Sequence, residues 1–195
     1  FMSTLKKRWI PDRLKLNEHI QATKFFVRTR QEPANLSREE EELLALIGNE
    51  PLSLKDVYWD RNILPSKKVM DSLIRKRLIQ AIGFTPTDAL HVLGEYTEWN
   101  SEASEIGAAL LANFIGTGRH EFCMNVKRLF VRNMAKDLLA FLMEGVDRAE
   151  IEKVLNGNFF SRFKVDIPVV LLGGPVKAYV NELKELIDAE IIVPE

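Results

Sequence analysis

Apolar and polar positions along this chain follow two periods, and the change from one to the other marks its parts. Before residue 35 no helical period is clear, and Phe25-Phe26-Val27 followed by Arg-Thr-Arg predicts a strand running into a turn at Pro33. From Ser37 the period is helical. Ser37 with Glu40 spells a capping box, and Leu43, Leu44, Leu46 and Ile47 supply an apolar face before Gly48. Ser53 with Asp56 repeats the box for a short helix ending near Trp59. Ser66 opens a third helix carrying Val69, Met70, Leu73 and Ile74. Arg75, Lys76 and Arg77 close it, where cations suit the negative end of the helix dipole. An extended piece follows from Leu78 to Ile82.

The second half reads as helices and then a strand–helix–strand unit. Phe84 to Gly94 is a loop into a short apolar piece, and Asn100 or Ser101 caps a helix through about Phe114. A long helix runs from about Arg119 to Met143. Its Phe122, Val126, Leu129, Phe130, Met134, Leu138, Phe141 and Leu142 step by three or four, which predicts one broad buried stripe. Asp147 with Glu150 caps another helix ending at Gly157, and Phe159 to Val165 fits either strand or loop. Ile167-Pro-Val-Val-Leu-Leu172 is a continuous apolar run of the kind found in a fully buried parallel strand. Gly173-Gly174-Pro175 breaks it, Val176, Val180, Leu183 and Leu186 mark a helix, and Ile191-Ile-Val193 is a second strand. This is a βαβ unit.

Composition narrows the class without choosing a function. The chain has 195 residues, 46% hydrophobic and 28% charged, with 27 basic minus 28 acidic residues giving -1. That fits one domain or two small ones, and it excludes wholesale disorder and collagen-like repeats. Apolar runs fall well below the roughly 18 residues that span a bilayer, so no membrane role is expected. One cysteine, Cys123, and no leader-like segment before Lys6, Lys7 and Arg8 lead to the expectation of a cytoplasmic protein. Phe1 ahead of Met2 reads as a tag remnant, and the chain is expected to be a fragment.

Charge is distributed unevenly. Residues 1–30 carry Lys6, Lys7, Arg8, Arg13, Lys15, Lys24, Arg28 and Arg30 against Asp12 and Glu18, eight minus two, a local +6; Glu39 to Glu42 then reverse the sign. Three short helices and an extended piece match the order of a winged helix-turn-helix module, with Ser66 to Arg77 as its recognition helix and Lys67, Lys68, Arg75 and Lys76 on phosphates. Yet Glu39 to Glu42 would face the same polyanion, and no Asn, Gln, Arg or aromatic set marks base contacts. Nucleic acid is therefore the disfavoured partner.

Few residues form a constellation for chemistry. His120 and Cys123 sit three apart on the long helix, a spacing for two metal ligands, but no second pair completes a site. Asp88 and His91, also three apart, could serve a metal or move a proton, but the favoured reading has Asp88 capping the following turn and His91 packing at an element edge. The Gly173-Gly174 turn would let backbone N–H groups approach a nucleotide beside a helix N-terminus, although a tight strand-to-helix turn needs glycine for steric reasons as well. No Ser-His-Asp order, phosphate-loop Gly-Lys-Ser/Thr or zinc-protease motif is present.

Two of these stretches together resemble one family. Thr85-Pro-Thr-Asp-Ala-Leu-His-Val-Leu-Gly94 is similar to the Thr-x-Thr-Asp-Ala-x-x-Val-Leu-Gly stretch of the hydantoinase/oxoprolinase proteins. Leu171-Leu-Gly-Gly-Pro175 through Ile191-Ile-Val-Pro194 resembles their glycine turn, helix and Ile-Val-Pro ending, in the same order. Those proteins look like members of the actin, sugar-kinase and heat-shock-chaperone ATPase superfamily, and they use ATP to open a cyclic amide.

The resemblance, over roughly residues 80 to 194, implies an α/β fold, a helix-rich lobe of an actin-like ATPase, in which the winged-helix-like helical module read from the helix order is an insertion. Three parts follow: a basic, partly extended segment over 1–35, the winged-helix-like module over 36–82, and an α/β lobe with the C-terminal βαβ unit over 83–195. It implies ATP with Mg²⁺ as cofactor, Gly173, Gly174 and Pro175 at the adenosine side, and Thr87 and Asp88 lining the cleft near phosphates or a metal as catalytic candidates. Implied partners are a small cyclic amide and the remaining lobe or a partner subunit.

The chain departs from the family pattern in three places. The Asp-x-Gly-Gly-Thr phosphate loop is absent, the winged-helix-like module replaces a Gly- and Pro-rich stretch, and Glu195 precedes the usual Ala-x-x-Ala-x-Gly helix. The expectation is one lobe of a nucleotide cleft, inactive alone. A winged-helix DNA-binding regulator and a non-catalytic scaffold subunit are the alternatives.

Overall fold

Phe25 and Phe26 are neighbours in β1 (Phe25–Arg28), and the pleat of a strand sends them to opposite faces of a sheet. Phe26 enters a core with Leu43, Leu44, Met70 and Leu73, while Phe25 packs with Ala103 on the other side. This strand therefore joins the two halves of the chain. The structure, a computed structural model, describes residues 24–54, 57, 62, 65–157 and 162–194. Most of the basic N-terminal segment and most of the helix expected from Ser53 to Trp59 lie outside them.

In the first half, β1 is the middle strand of a three-stranded antiparallel sheet. It pairs with β2 (Leu52–Ser53) on one side and β3 (Ile79–Ile82) on the other. Helices α1 (Arg38–Leu46) and α2 (Lys67–Arg75) cover one face. Ser37 and Glu40 form the expected capping box, with Ser37 N–H donating to Glu40 Oε2 at 2.7 Å, and Ser66 caps α2 by accepting from Val69 N–H. Glu40 continues inward from the box: it accepts from Ser72 Oγ at 2.6 Å and from Lys76 Nζ at 2.8 Å, tying α1 to the end of α2.

The second half is mainly helical. Thr85 opens α3 (Pro86–Leu93), where a loop was expected, and α4 (Ser101–Ile115) and α5 (Arg119–Leu142) pack against it. Small residues make this packing close: α4 buries Ala103, Ser104, Gly107, Ala108 and Ala112. After α6 (Arg148–Asn156) come β4 (Phe163–Val170), a 3-10 turn (Val176–Tyr179), α7 (Val180–Leu186) and β5 (Ile187–Ile192). β4 and β5 pair in parallel, so the βαβ unit forms, with a register shift between Val165 and Val169 around Pro168. A core of Leu90, Val131, Ala135, Leu139, Ile151, Tyr179, Leu183 and Ile187 sits between α5 and this unit. Each buried Leu, Ile or Val among them contributes about 1.5–3 kcal/mol.

Two expected burial patterns are corrected. β4 is covered only in part: Val165 is buried and Phe163 and Val169 half-buried, but Ile167, at the register shift, is 54% and Val170 52% exposed, and Leu172 beyond the strand is 76% exposed. Its apolar run therefore does not reflect burial on both faces among the described residues. On α5 the buried stripe is Cys123, Lys127, Val131, Ala135 and Leu139, spaced by four, whereas Leu129 and Phe141 are exposed. Most of the large apolar residues flank this stripe, where they are half-buried. No helix among the described residues is long and apolar enough to cross a membrane.

Candidate functional site

The glycine turn follows the end of β4 directly. Gly173 has φ +130°, a conformation open to glycine, and with Gly174 and Pro175 it reverses the chain into the 3-10 turn that leads α7. Leu171, Leu172, Gly173, Gly174, Val176, Lys177, Val193 and Pro194 enclose a pocket of about 330 Å³. It lies just beyond the carboxyl ends of both parallel strands, which finish at Val170 and Ile192. Polar and apolar atoms share its walls about equally, with the exposed Lys177 as the cation among them. All three residues expected to meet a cofactor thus sit in this turn, and Gly173 and Gly174 line the pocket itself.

Behind the turn stands an aromatic group built on the end of α3. A Cβ placed on Gly174 would lie 3.2 Å from the hydroxyl oxygen of Tyr96. Tyr96 donates that hydroxyl to Glu98 at 2.7 Å, and its ring meets His91 edge-on at 5.2 Å and Trp99 edge-on at 5.8 Å. The bond to Glu98 raises the phenol pKa above its usual value. His91 is buried: its Nδ1–H donates to the Thr87 carbonyl at 2.8 Å and Nε2 accepts from Trp99 N–H at 3.2 Å. Both ring nitrogens are thereby used, and these partners place the proton on Nδ1.

Thr87 and Asp88 lie in the first turn of α3. Asp88 is fully buried. Its Oδ2 accepts from Thr85 N–H at 2.8 Å and from the Thr85 hydroxyl at 2.7 Å, and its Oδ1 accepts from Ser104 at 3.1 Å. Thr85 returns the favour by accepting from Asp88 N–H, a capping box with Pro86 at the first helical position. The carboxylate therefore anchors α3 to α4, and Thr87 orients His91 through its carbonyl. Neither Thr87 nor Asp88 lines the glycine-turn pocket: the His91 ring and Tyr96 stand between the Thr-Asp-Ala stretch and that turn.

The second candidate pair separates. Cys123 is buried and His120 exposed, and no group of three or more His, Cys, Asp or Glu among the described residues could hold a metal ion. Burial pushes the Cys123 thiol up to about 11. No family model, curated protein or solved structure matches the chain.

One charged residue was not anticipated. Lys127, 3% exposed, occupies the centre of the buried α5 stripe and binds Glu95 Oε2 at 2.6 Å and Glu182 Oε1. Burial is the largest influence on its ammonium and lowers the pKa, but the bonds to Glu182 and Glu95 together outweigh it and hold the pKa above the usual lysine value. The signal was its spacing: Lys127 falls exactly four residues from both Cys123 and Val131.

Proposed function

We propose that this chain forms one lobe of an ATP-dependent cyclic-amide hydrolase of the hydantoinase/oxoprolinase kind, with the glycine turn taking the adenosine side of the nucleotide. The observation that carries this reading is the place of the pocket: it opens at the carboxyl ends of two parallel strands, beside a glycine turn that leads a helix. Ligands of α/β units bind at that end, where the strands stop and backbone groups are left to meet them. Glycine lets a flat ring approach the main chain, Leu171, Leu172, Val176 and Val193 offer it an apolar wall, and Lys177 offers a cation to phosphate.

Adenosine fits this lining; Mg²⁺ does not, because no carboxylate is among the described residues that enclose the pocket. The metal and the Asp-x-Gly-Gly-Thr phosphate loop would belong to a second lobe. When bound, ATP supplies the phosphoryl group that turns a ring-amide oxygen into a good leaving group. This chain's own residues bind the nucleoside, hold the turn and exclude water from one side. Thr87 and Asp88 serve in this reading by fixing the start of α3, on which the aromatic support of the turn is built.

The test is an NMR titration of the 195-residue chain with ATP and Mg²⁺. Shifts confined to the amides of residues 171–174, 176, 177 and 193 support the reading; no shift at several millimolar nucleotide rejects it. Steady ATP- or hydantoin-dependent turnover by this chain alone would reject the one-lobe part.

A DNA-binding regulator is the second reading, favoured by the exposure of Lys67, Lys68 and Arg75 on α2. Lys76 is already engaged by Glu40 and the Asn35 carbonyl, which leaves three cations of the expected four for phosphates. Filter binding over a salt series separates the two, since a regulator binds duplex DNA with a steep negative salt slope.

A further inference from the structure

The glycine turn is held from two sides, and one ammonium touches both. On one side Tyr96 backs Gly174, and the residue before it, Glu95, accepts a 2.6 Å bond from Lys127. On the other side α7, which continues from the turn, carries Glu182 in its first turn, and Glu182 Oε1 is bonded to the same Nζ. Lys127 reaches them from the middle of α5 with its side chain 4% exposed.

An ammonium is an unfavourable choice for a buried stripe unless its charge and its hydrogen bonds are both met. Here two carboxylates meet them. Apolar packing could fill the same space, but it would let α7 slide, whereas two short charge-assisted bonds to one nitrogen set a distance. The arrangement is also unbalanced: two carboxylates share one cation, and Glu182 Oε2 is buried with no hydrogen-bond partner among the described residues. Without Lys127, the half-buried Glu182 would lack its cation and its buried Oε2 would still have no partner, so α7 would have to shift to hydrate the carboxylate.

We propose that Lys127 is the positioning residue of the glycine-turn pocket. Its bonds to Glu95 and Glu182 set the spacing between the Tyr96 support and α7, and so hold the backbone of Gly173 and Gly174 in the form that receives a ligand. The assignment of that ligand as an adenosine nucleotide rests on the function proposed above; the clamp itself rests on the geometry alone.

The experiment compares the whole chain with Lys127→Met, which keeps the length and removes the charge, and with Lys127→Arg, which keeps the charge. Amide hydrogen exchange is followed at residues 173, 174 and 176–180 and in α1, and affinity for ATP with Mg²⁺ is measured alongside. The expected result for Lys127→Met is exchange about tenfold faster in the turn with α1 unchanged and affinity about tenfold weaker, with Lys127→Arg restoring most of both. Wild-type exchange in the turn, or equal acceleration in α1, would overturn the proposal.

Should Lys127→Met fail to fold, Glu182→Gln takes its place, since it leaves the Lys127–Glu95 bond intact. It too is expected to loosen the turn, and wild-type protection there rejects the clamp. The two proposals fail separately. A wild-type chain that binds no ATP while Lys127→Met loosens the turn removes the nucleotide and keeps the clamp. Equal ATP binding by wild type and Lys127→Met, with the turn still protected, does the reverse.

Discussion

The hydroxyl of Tyr96 stands 3.2 Å from the point where a side chain on Gly174 would begin, 78 positions further along the chain. That separation is shorter than an ordinary carbon–oxygen contact, and Tyr96 is not free to retreat, because Glu98 holds its hydroxyl and His91 and Trp99 flank its ring. The clearance beside Tyr96 thus favours glycine at 174.

The coupling can be measured directly. Gly174→Ala is expected to destabilise the chain by about 1 kcal/mol through overpacking. The same substitution in a Tyr96→Phe background, where the nearest atom is the ring carbon at 4.0 Å, is expected to be nearly neutral. Urea unfolding of the four proteins gives the interaction term, and additive effects would show that the contact carries no strain.

Asp88 yields a prediction that separates anchoring from chemistry. Asp88→Asn loses an acceptor from the capping box or the Ser104 bond and leaves a buried group partly unsatisfied, at a cost of about 1–3 kcal/mol. Thr85→Ala, which removes the cap and the hydroxyl's bond to Asp88 but keeps the Thr85 N–H and Ser104 bonds, should cost about 1 kcal/mol. Thermal unfolding ranks the two, and an Asp88→Asn variant as stable as the wild type would free Asp88 from the anchoring role.

Stability between α1 and α2 should titrate in acid. The Lys76, Ser72 and Ser37 bonds to Glu40 lower its carboxyl from 4.5 to about 2. A folded pKa below the unfolded one means that the contribution is complete above about 4.5 and is lost as pH falls toward 2. The difference in melting temperature between wild type and Glu40→Gln is therefore expected to be constant near neutrality and to shrink between pH 4.5 and 2. A difference that does not change with pH in that window would remove Glu40 from the network.

Cys123 should behave as a core side chain. With its thiol pushed up to about 11 by burial, it carries little thiolate at pH 8 and no path to solvent. Ellman's reagent at pH 8 is expected to leave it unmodified in the native chain and to label it fully in denaturant. The raised pKa also favours the fold up to about pH 9, a contribution lost progressively as pH rises toward 11. Rapid native labelling would contradict the packing of α3, α4 and α5 around it.

Local chemistry was legible in the sequence. Ser37 with Glu40, Ser66 and Asn100 each cap a helix where the spacing placed one, since a cap is an interaction within three residues. The parallel βαβ unit followed from the glycine break between two apolar runs. Helix α3 was missed although its signal was present: Thr85, Pro86 and Asp88 spell a capping box with proline at the first position, here read as a loop because the apolar run behind it is short. Strand β4 shows the opposite error, for a continuous apolar run says how much burial a strand could use and not how much its neighbours provide.

The arrangement of the site belongs to the tertiary structure. Spacing marks Lys127 as a member of the α5 stripe, but nothing local says that Glu95, 32 residues before it, and Glu182 on α7 will neutralise it. Nor does any local rule bring Tyr96 against Gly174. Caps, turns and periods are decided by forces acting over a few residues, whereas the partners of a buried charge and the clearance beside a glycine are decided when separate elements pack at a fixed distance. In this chain the sequence by itself determined the glycine turn and the helices around it, and only the packing of α3, α5 and α7 decided what stands behind that turn.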